Sequence, residues 1–142
     1  MRMYDSEDIK VPISRIALRD NGLKDVRIRI EEDYFGMRKQ THGHFDPNLG
    51  VLAFNNRMFP KSDVINTGFH ESKHAYQYAI EALGGYKNTS YAGRCRRELK
   101  NLVTPETQAK ATDYHIADLR YVPAERDYQA YRENLLEKEA WE

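Results

Sequence analysis

The chain has 142 residues, enough for one domain of ordinary size and short for two. Lysine plus arginine total 22 and aspartate plus glutamate total 22, so the net charge is zero and argues against a general grip on nucleic acid or anionic membrane. With 40% hydrophobic residues, 10 tyrosines and 5 phenylalanines the chain is too aromatic for disorder, and its single cysteine, Cys95, excludes an internal disulfide and a multi-cysteine zinc site.

No apolar run approaches the roughly 18 residues that a membrane helix needs. The opening MRMYDSEDIK is charged and lacks the apolar centre of a signal peptide. The expectation is a soluble, cytoplasmic protein with no membrane partner.

In chain order, residues 12–20 (PISRIALRD) read as a short helix. Pro12 suits a first-turn position, Ile13, Ile16 and Ala17 share a face, and Asn21-Gly22 ends it. Residues 25–32 alternate as a half-buried strand does, with Val26, Ile28 and Ile30 on one side and Arg27, Arg29 and Glu31 on the other. Residues 43–54 read as a hairpin, with turn chemistry at Asp46-Pro47-Asn48 and Gly50. Val51 to Phe54 is a short apolar strand.

From about Ser62 the pattern becomes helical. Over residues 63–83, Ile65, Phe69, Ser72, Tyr76, Ala79, Ile80 and Leu83 form one stripe, and Gly84-Gly85 stops the helix. A shorter helix is expected within 90–102. Thr104 and Pro105 open a helix to about Leu119, and Pro123 opens a last one reaching Ala140. Strands first and helices after define an α+β class, with a small sheet early in a single domain spanning 1–142.

The densest chemistry lies in His70-Glu71-Ser72-Lys73-His74, an H-E-x-x-H segment on the long helix. Four residues turn a helix by about 400°, so the two imidazoles leave one face one turn apart and can reach one ion at about 2.0–2.1 Å. Glu71 sits beside that face, placed to take a proton from water rather than to ligate. On the wheel the histidines lie nearly opposite the apolar stripe. The competing reading is a polar face whose histidines meet only solvent.

A catalytic zinc ion usually has three protein ligands. Glu81 is seven residues past His74, about 10 Å along the axis, and too far. His42, His44 and His115 are the histidine alternatives, His115 also as an auxiliary group near a substrate. Glu125 is a carboxylate just after Pro123, beside an apolar face, and is either a ligand or an acidic residue favoured by a helix start. Gln129 follows it by four residues on the same face, placed to hydrogen-bond a ligand, and Tyr121 is near enough to act as a donor. A di-iron site would need a second E-x-x-H, and the chain has only Glu71–His74. The basic cluster Arg94, Arg96, Arg97 and Lys100 reads first as a solvated helix face.

The segment from Thr67 to Gln77, followed by Tyr121-Val122-Pro123-Ala124-Glu125-Arg126-Asp127 and Tyr131, resembles the small gluzincin-type metallopeptidases of the ImmA/IrrE-like group and related minimal zincins. The likeness covers about twenty residues as sequence and most of the chain as an order of elements. It departs from the family pattern at Tyr128, Gln129 and Tyr131, and in a longer spacer after His74. The resemblance implies a zincin-like fold and one zinc ion held by His70, His74 and Glu125. It also implies Glu71 as general base and a peptide or protein substrate, which the strand Val51 to Phe54 would pair with in extended form. The alternative on the same fold is a zinc-binding regulatory module that hydrolyses nothing.

Overall fold

The structure is a computed structural model that describes the backbone of residues 7–23, 29–33, 42–55 and 60–141, and the side chains of 12–23, 42–55, 60 and 62–141. Helix α1 (Glu7–Asp20) is longer than its sequence pattern suggests, so Pro12 lies inside the helix and not in its first turn. Its end is a glycine cap. Gly22 takes φ 77°, and the Leu23 N–H returns 2.8 Å to the Leu18 carbonyl. Ala17 and Leu18 are buried, whereas Ile16 is largely exposed.

Three strands follow, β1 (Arg29–Asp33), β2 (Gly43–Asp46) and β3 (Val51–Asn55). The expected strand 25–32 is described only from Arg29, and Val26 and Ile28 lie outside the described residues. The hairpin forms where the turn chemistry places it. Asp46 Oδ1 accepts the N–H groups of Asn48 (2.9 Å) and Leu49 (3.2 Å), and Gly50 takes φ 68° against the Tyr91 ring.

The sheet order is β1-β3-β2, with β1 parallel and β2 antiparallel to β3. Strand β3 is therefore central and buried throughout, so it has no free edge for a peptide, contrary to the sequence expectation. The outer strand of the hairpin is β2.

Helix α2 (Lys61–Leu83) is the axis of the fold, and Gly84 and Gly85 end it as expected. One core groups Leu18, Leu52, Ala75, Ala79, Tyr91 and Leu99, and a second groups Ile80, Ala111, Tyr114, Ala117 and Leu136. Each buried leucine or isoleucine contributes about 1.5–3 kcal/mol relative to exposure. The apolar stripe is only partly the buried face. Ala79 and Ile80 are buried, yet Ile65 and Phe69 are exposed and His70 is buried. The reason is that later helices cover the histidine side of α2 as well.

Helix α3 (Ser90–Glu98) is capped by Thr89 and followed by a 3-10 turn, Lys100–Leu102. Arg96 donates to the carbonyls of Ala82 and Lys87, and Arg94 lies over the Tyr91 ring, so part of the basic cluster joins elements together. Cys95 is buried, and burial pushes its thiol up to about 11. Helix α4 (Pro105–Leu119) begins with a reciprocal Thr104–Thr107 capping box.

The expected last helix over 123–140 is instead a turn and two short helices, α5 (Tyr128–Glu133) and α6 (Leu135–Ala140). Two side-chain caps break it. Asp127 Oδ1 accepts the Ala130 N–H, and Asn134 Oδ1 accepts the Leu136 N–H while its amide donates to the Ala117 carbonyl. The break at Asn134 redirects α6 onto α2. The whole is mostly helical, an α+β arrangement with a small early sheet packed on α2 and further helices after it. No helix among the described residues is long and apolar enough to cross a membrane.

Candidate metal centre

His70 and His74 leave α2 one turn apart, as the spacing dictates, with their Nε2 atoms 3.2 Å from each other. The carboxylate that meets them is Glu137, in the first turn of α6. Its Oε1 lies 3.2 Å from His70 Nε2 and its Oε2 lies 3.1 Å from His74 Nε2. Among the described residues, His70, His74 and Glu137 are the one group of three donors with metal-ligating geometry.

The donor set fits a small divalent cation. The two imidazole nitrogens are 3.2 Å apart, close to the edge of about 3.3–3.4 Å of a tetrahedron with bonds of about 2.0–2.1 Å, and each oxygen of the Glu137 carboxylate lies 3.1–3.2 Å from one of them. Glu137 Oε1 is buried and, among the described residues, its near neighbour is the His70 nitrogen at 3.2 Å, with no further hydrogen-bond partner. A buried carboxylate oxygen left in that state is costly unless a cation or proton reaches it.

In the absence of a cation the same atoms trap a proton. Burial works against a charged His74 ring, but the Glu137 hydrogen bond, the charges of Glu71 and Glu137 and the Gln77 hydrogen bond outweigh it and raise the His74 pKa to about 9. For Glu137 burial acts upward, and the imidazoles of His70 and His74 overcome it, holding the carboxyl well below the usual carboxylate range. Tyr121 adds to this by donating its hydroxyl to Glu137 Oε2 at 2.7 Å.

Neighbouring groups fix the centre from behind. Gln77 accepts from His74 Nδ1 at 2.9 Å and donates to the Leu136 carbonyl at 3.0 Å and to Glu139 Oε1 at 3.2 Å. Tyr114 donates to that same Glu139 oxygen at 2.6 Å. Trp141 lies against the His70 ring with centroids 4.2 Å apart, and the Arg132 guanidinium lies over the Trp141 ring at 4.9 Å.

Glu71 stands beside the triad. Its Oε2 is 3.9 Å from His70 Nε2, and its carboxylate takes a hydrogen bond from the Phe45 backbone in β2. Burial raises its pKa above the ordinary carboxylate value, assisted by the charge of Glu137 and opposed by His74 and His70. A cavity of about 360 Å³ reaches both Glu71 and His70 and is walled by Gly43, Thr67, Tyr131 and Trp141. A second, of about 690 Å³, shares Asn66, His70 and Trp141 with the first.

The remaining residues singled out in the sequence lie elsewhere. Glu125 is exposed on the turn that precedes α5, and the position expected for it is taken by Glu137. The cause is the caps at Asp127 and Asn134, which replace one straight helix by two. Gln129 pairs with Glu133 on the exposed side of α5, Nε2 to Oε2 at 2.9 Å. His115, on α4, stacks on Tyr86 at 4.2 Å and faces Glu81 at 3.8 Å, outside the triad. His42 lines the smaller cavity, and His44 is half-buried within β2.

Glu137 and Gln77 are the residues that the sequence reading passes over. Asn134 with Glu137 three places on is a helix-start pattern, and it marks both the break and the acidic first turn. Comparison of the chain with protein families, with curated proteins and with solved structures finds no match.

Proposed function

We propose that this protein is a zinc-dependent peptidase in which His70, His74 and Glu137 hold the metal and Glu71 is the general base. The observation that carries the reading is the position of Glu71. It is a desolvated carboxylate 3.9 Å from the His70 nitrogen, and both residues line the same cavity.

When bound, zinc supplies Lewis acidity, which polarises a carbonyl oxygen and acidifies water. Glu71 accepts a proton from the attacking water as its oxygen bonds to the scissile carbonyl carbon. It then returns that proton to the amine nitrogen as the carbon–nitrogen bond breaks. A carboxylate raised by burial suits both transfers, because it binds and releases a proton nearer to neutral pH. Tyr121 holds Glu137 in place through its 2.7 Å hydrogen bond. Strand β2 is the support for an extended peptide in this reading, since Gly43 lines the same cavity and β2 is an outer strand of the sheet among the described residues.

A second reading is a zinc-binding module without hydrolytic activity. It is favoured by the cover over the centre, where Trp141 lies on the His70 ring and leaves that histidine buried.

Hydrolysis of a fluorescein-labelled unstructured protein by the zinc-loaded chain, compared with Glu71→Gln, separates the two. The peptidase reading predicts turnover in the wild type and a loss of about 10²–10⁴-fold in the variant, with zinc content unchanged. Zinc binding without turnover in the wild type overturns it in favour of the second reading.

A further inference from the structure

Resting on the metal-centre reading above, we propose that Gln77 is the positioning residue that assembles this centre, fixing the tautomer of His74 and anchoring the segment that delivers Glu137. Gln77 follows His74 by three residues on α2, so it leaves the helix on the same side, and it is only 2% exposed. Two of its three hydrogen bonds reach α6, at residues 59 and 62 places further along the chain, and the third stays on α2.

The orientation of the amide follows from its partners. The Leu136 carbonyl can only accept, so the Gln77 atom 3.0 Å from it is the amide nitrogen, whose second hydrogen faces Glu139 Oε1 at 3.2 Å. The amide oxygen is then the atom 2.9 Å from His74 Nδ1, and it too can only accept. His74 therefore carries its proton on Nδ1. The neutral ring presents a bare lone pair on Nε2, the atom that faces Glu137 and His70.

The other half of the amide acts on the carboxylate. Leu136 immediately precedes Glu137, so a bond to its carbonyl holds the peptide from which the third donor springs. Glu139, which also receives the Tyr114 hydroxyl, fixes the next turn of α6 against the same amide. A helix of six residues has little stability of its own, so its place depends on such anchors. One side chain thus sets a ligand on each of the two helices.

The test is zinc affinity by chelator competition, with the absorption spectrum of cobalt(II) bound in place of zinc as a report on the ligand field. Wild type, Gln77→Leu and Gln77→Glu are compared, with the unfolding midpoint of each metal-free protein measured alongside. Gln77→Leu is expected to weaken zinc by about 10–100-fold and to alter the cobalt spectrum. Gln77→Glu keeps the acceptor for His74 but sets a carboxylate against the Leu136 carbonyl and Glu139. It is expected to fall between wild type and Gln77→Leu, and it carries the test if Gln77→Leu does not fold.

Wild-type zinc affinity and an unaltered cobalt spectrum in a folded variant overturn the proposal, even where the unfolding midpoint drops, because that is the signature of a merely structural amide. Absence of stoichiometric zinc in the wild type overturns the metal-centre reading and this proposal with it. Normal zinc in the wild type together with unchanged variants overturns this proposal alone.

Discussion

Raising the pH of the metal-free protein from 6 to 10 removes the proton that His74 shares with Glu137, and the cost can be worked from the contact itself. The His74 ring ordinarily titrates near 6.5, and here it does so at about 9. A folded-state pKa above the unfolded value gives stabilisation that is complete below about 6.5 and disappears as the pH rises through about 9. At about 1.4 kcal/mol per pH unit, that rise is worth about 3 kcal/mol. The ring is 20% exposed, so little is lost to solvent screening. Glu137 is the other partner of the same contact and is not counted again. Its depressed pKa makes its share of the stabilisation present above the ordinary 4.5 and lost as the pH falls below it. For this pair the metal-free protein is therefore most stable between about pH 4.5 and 6.5. Urea unfolding with chelator present should show the midpoint falling by roughly 1–2 M between pH 6 and pH 10. Glu137→Gln should make that decline clearly smaller, with Glu71 and Gln77 sustaining the remainder. A flat profile in the wild type, or an equal decline in Glu137→Gln, would refute the reasoning.

Two further substitutions probe the surroundings of the centre. Tyr121→Phe deletes the 2.7 Å hydrogen bond to Glu137 Oε2 and should weaken zinc by about tenfold in chelator competition, with little change in fold by circular dichroism. Gly50→Ala puts a Cβ 2.5 Å from the Tyr91 ring at a backbone φ of 68°, and should lower stability by about 1–3 kcal/mol in urea unfolding.

Several agreements between the sequence and the fold rest on local interactions. The helix from Pro105 to Leu119 is legible because Thr104, Pro105 and Thr107 make a complete start signal within four residues. The hairpin is legible because Asp46 and Gly50 meet the demands of the turn by themselves. His70 and His74 come together because helical periodicity alone brings them there. What could not be read was the long-range partner. Glu125 and Glu137 are both glutamates near a helix start, and only the caps at Asp127 and Asn134, with the Asn134 amide held by the Ala117 carbonyl, select between them. The apolar stripe of α2 misled for a related reason. Wheel geometry describes one face, whereas α6 returns from the far end of the chain to cover the opposite one. The pairing of β3 with a peptide fails on the same ground, because its parallel pairing with β1 is not a local property.

The most direct measurement is the zinc content of the purified protein after dialysis against limiting zinc, for wild type, Glu137→Ala and Glu125→Ala. The account predicts one zinc per chain in the wild type and in Glu125→Ala, and none or far less in Glu137→Ala. A wild type without zinc, or zinc kept by Glu137→Ala and lost from Glu125→Ala, would contradict it.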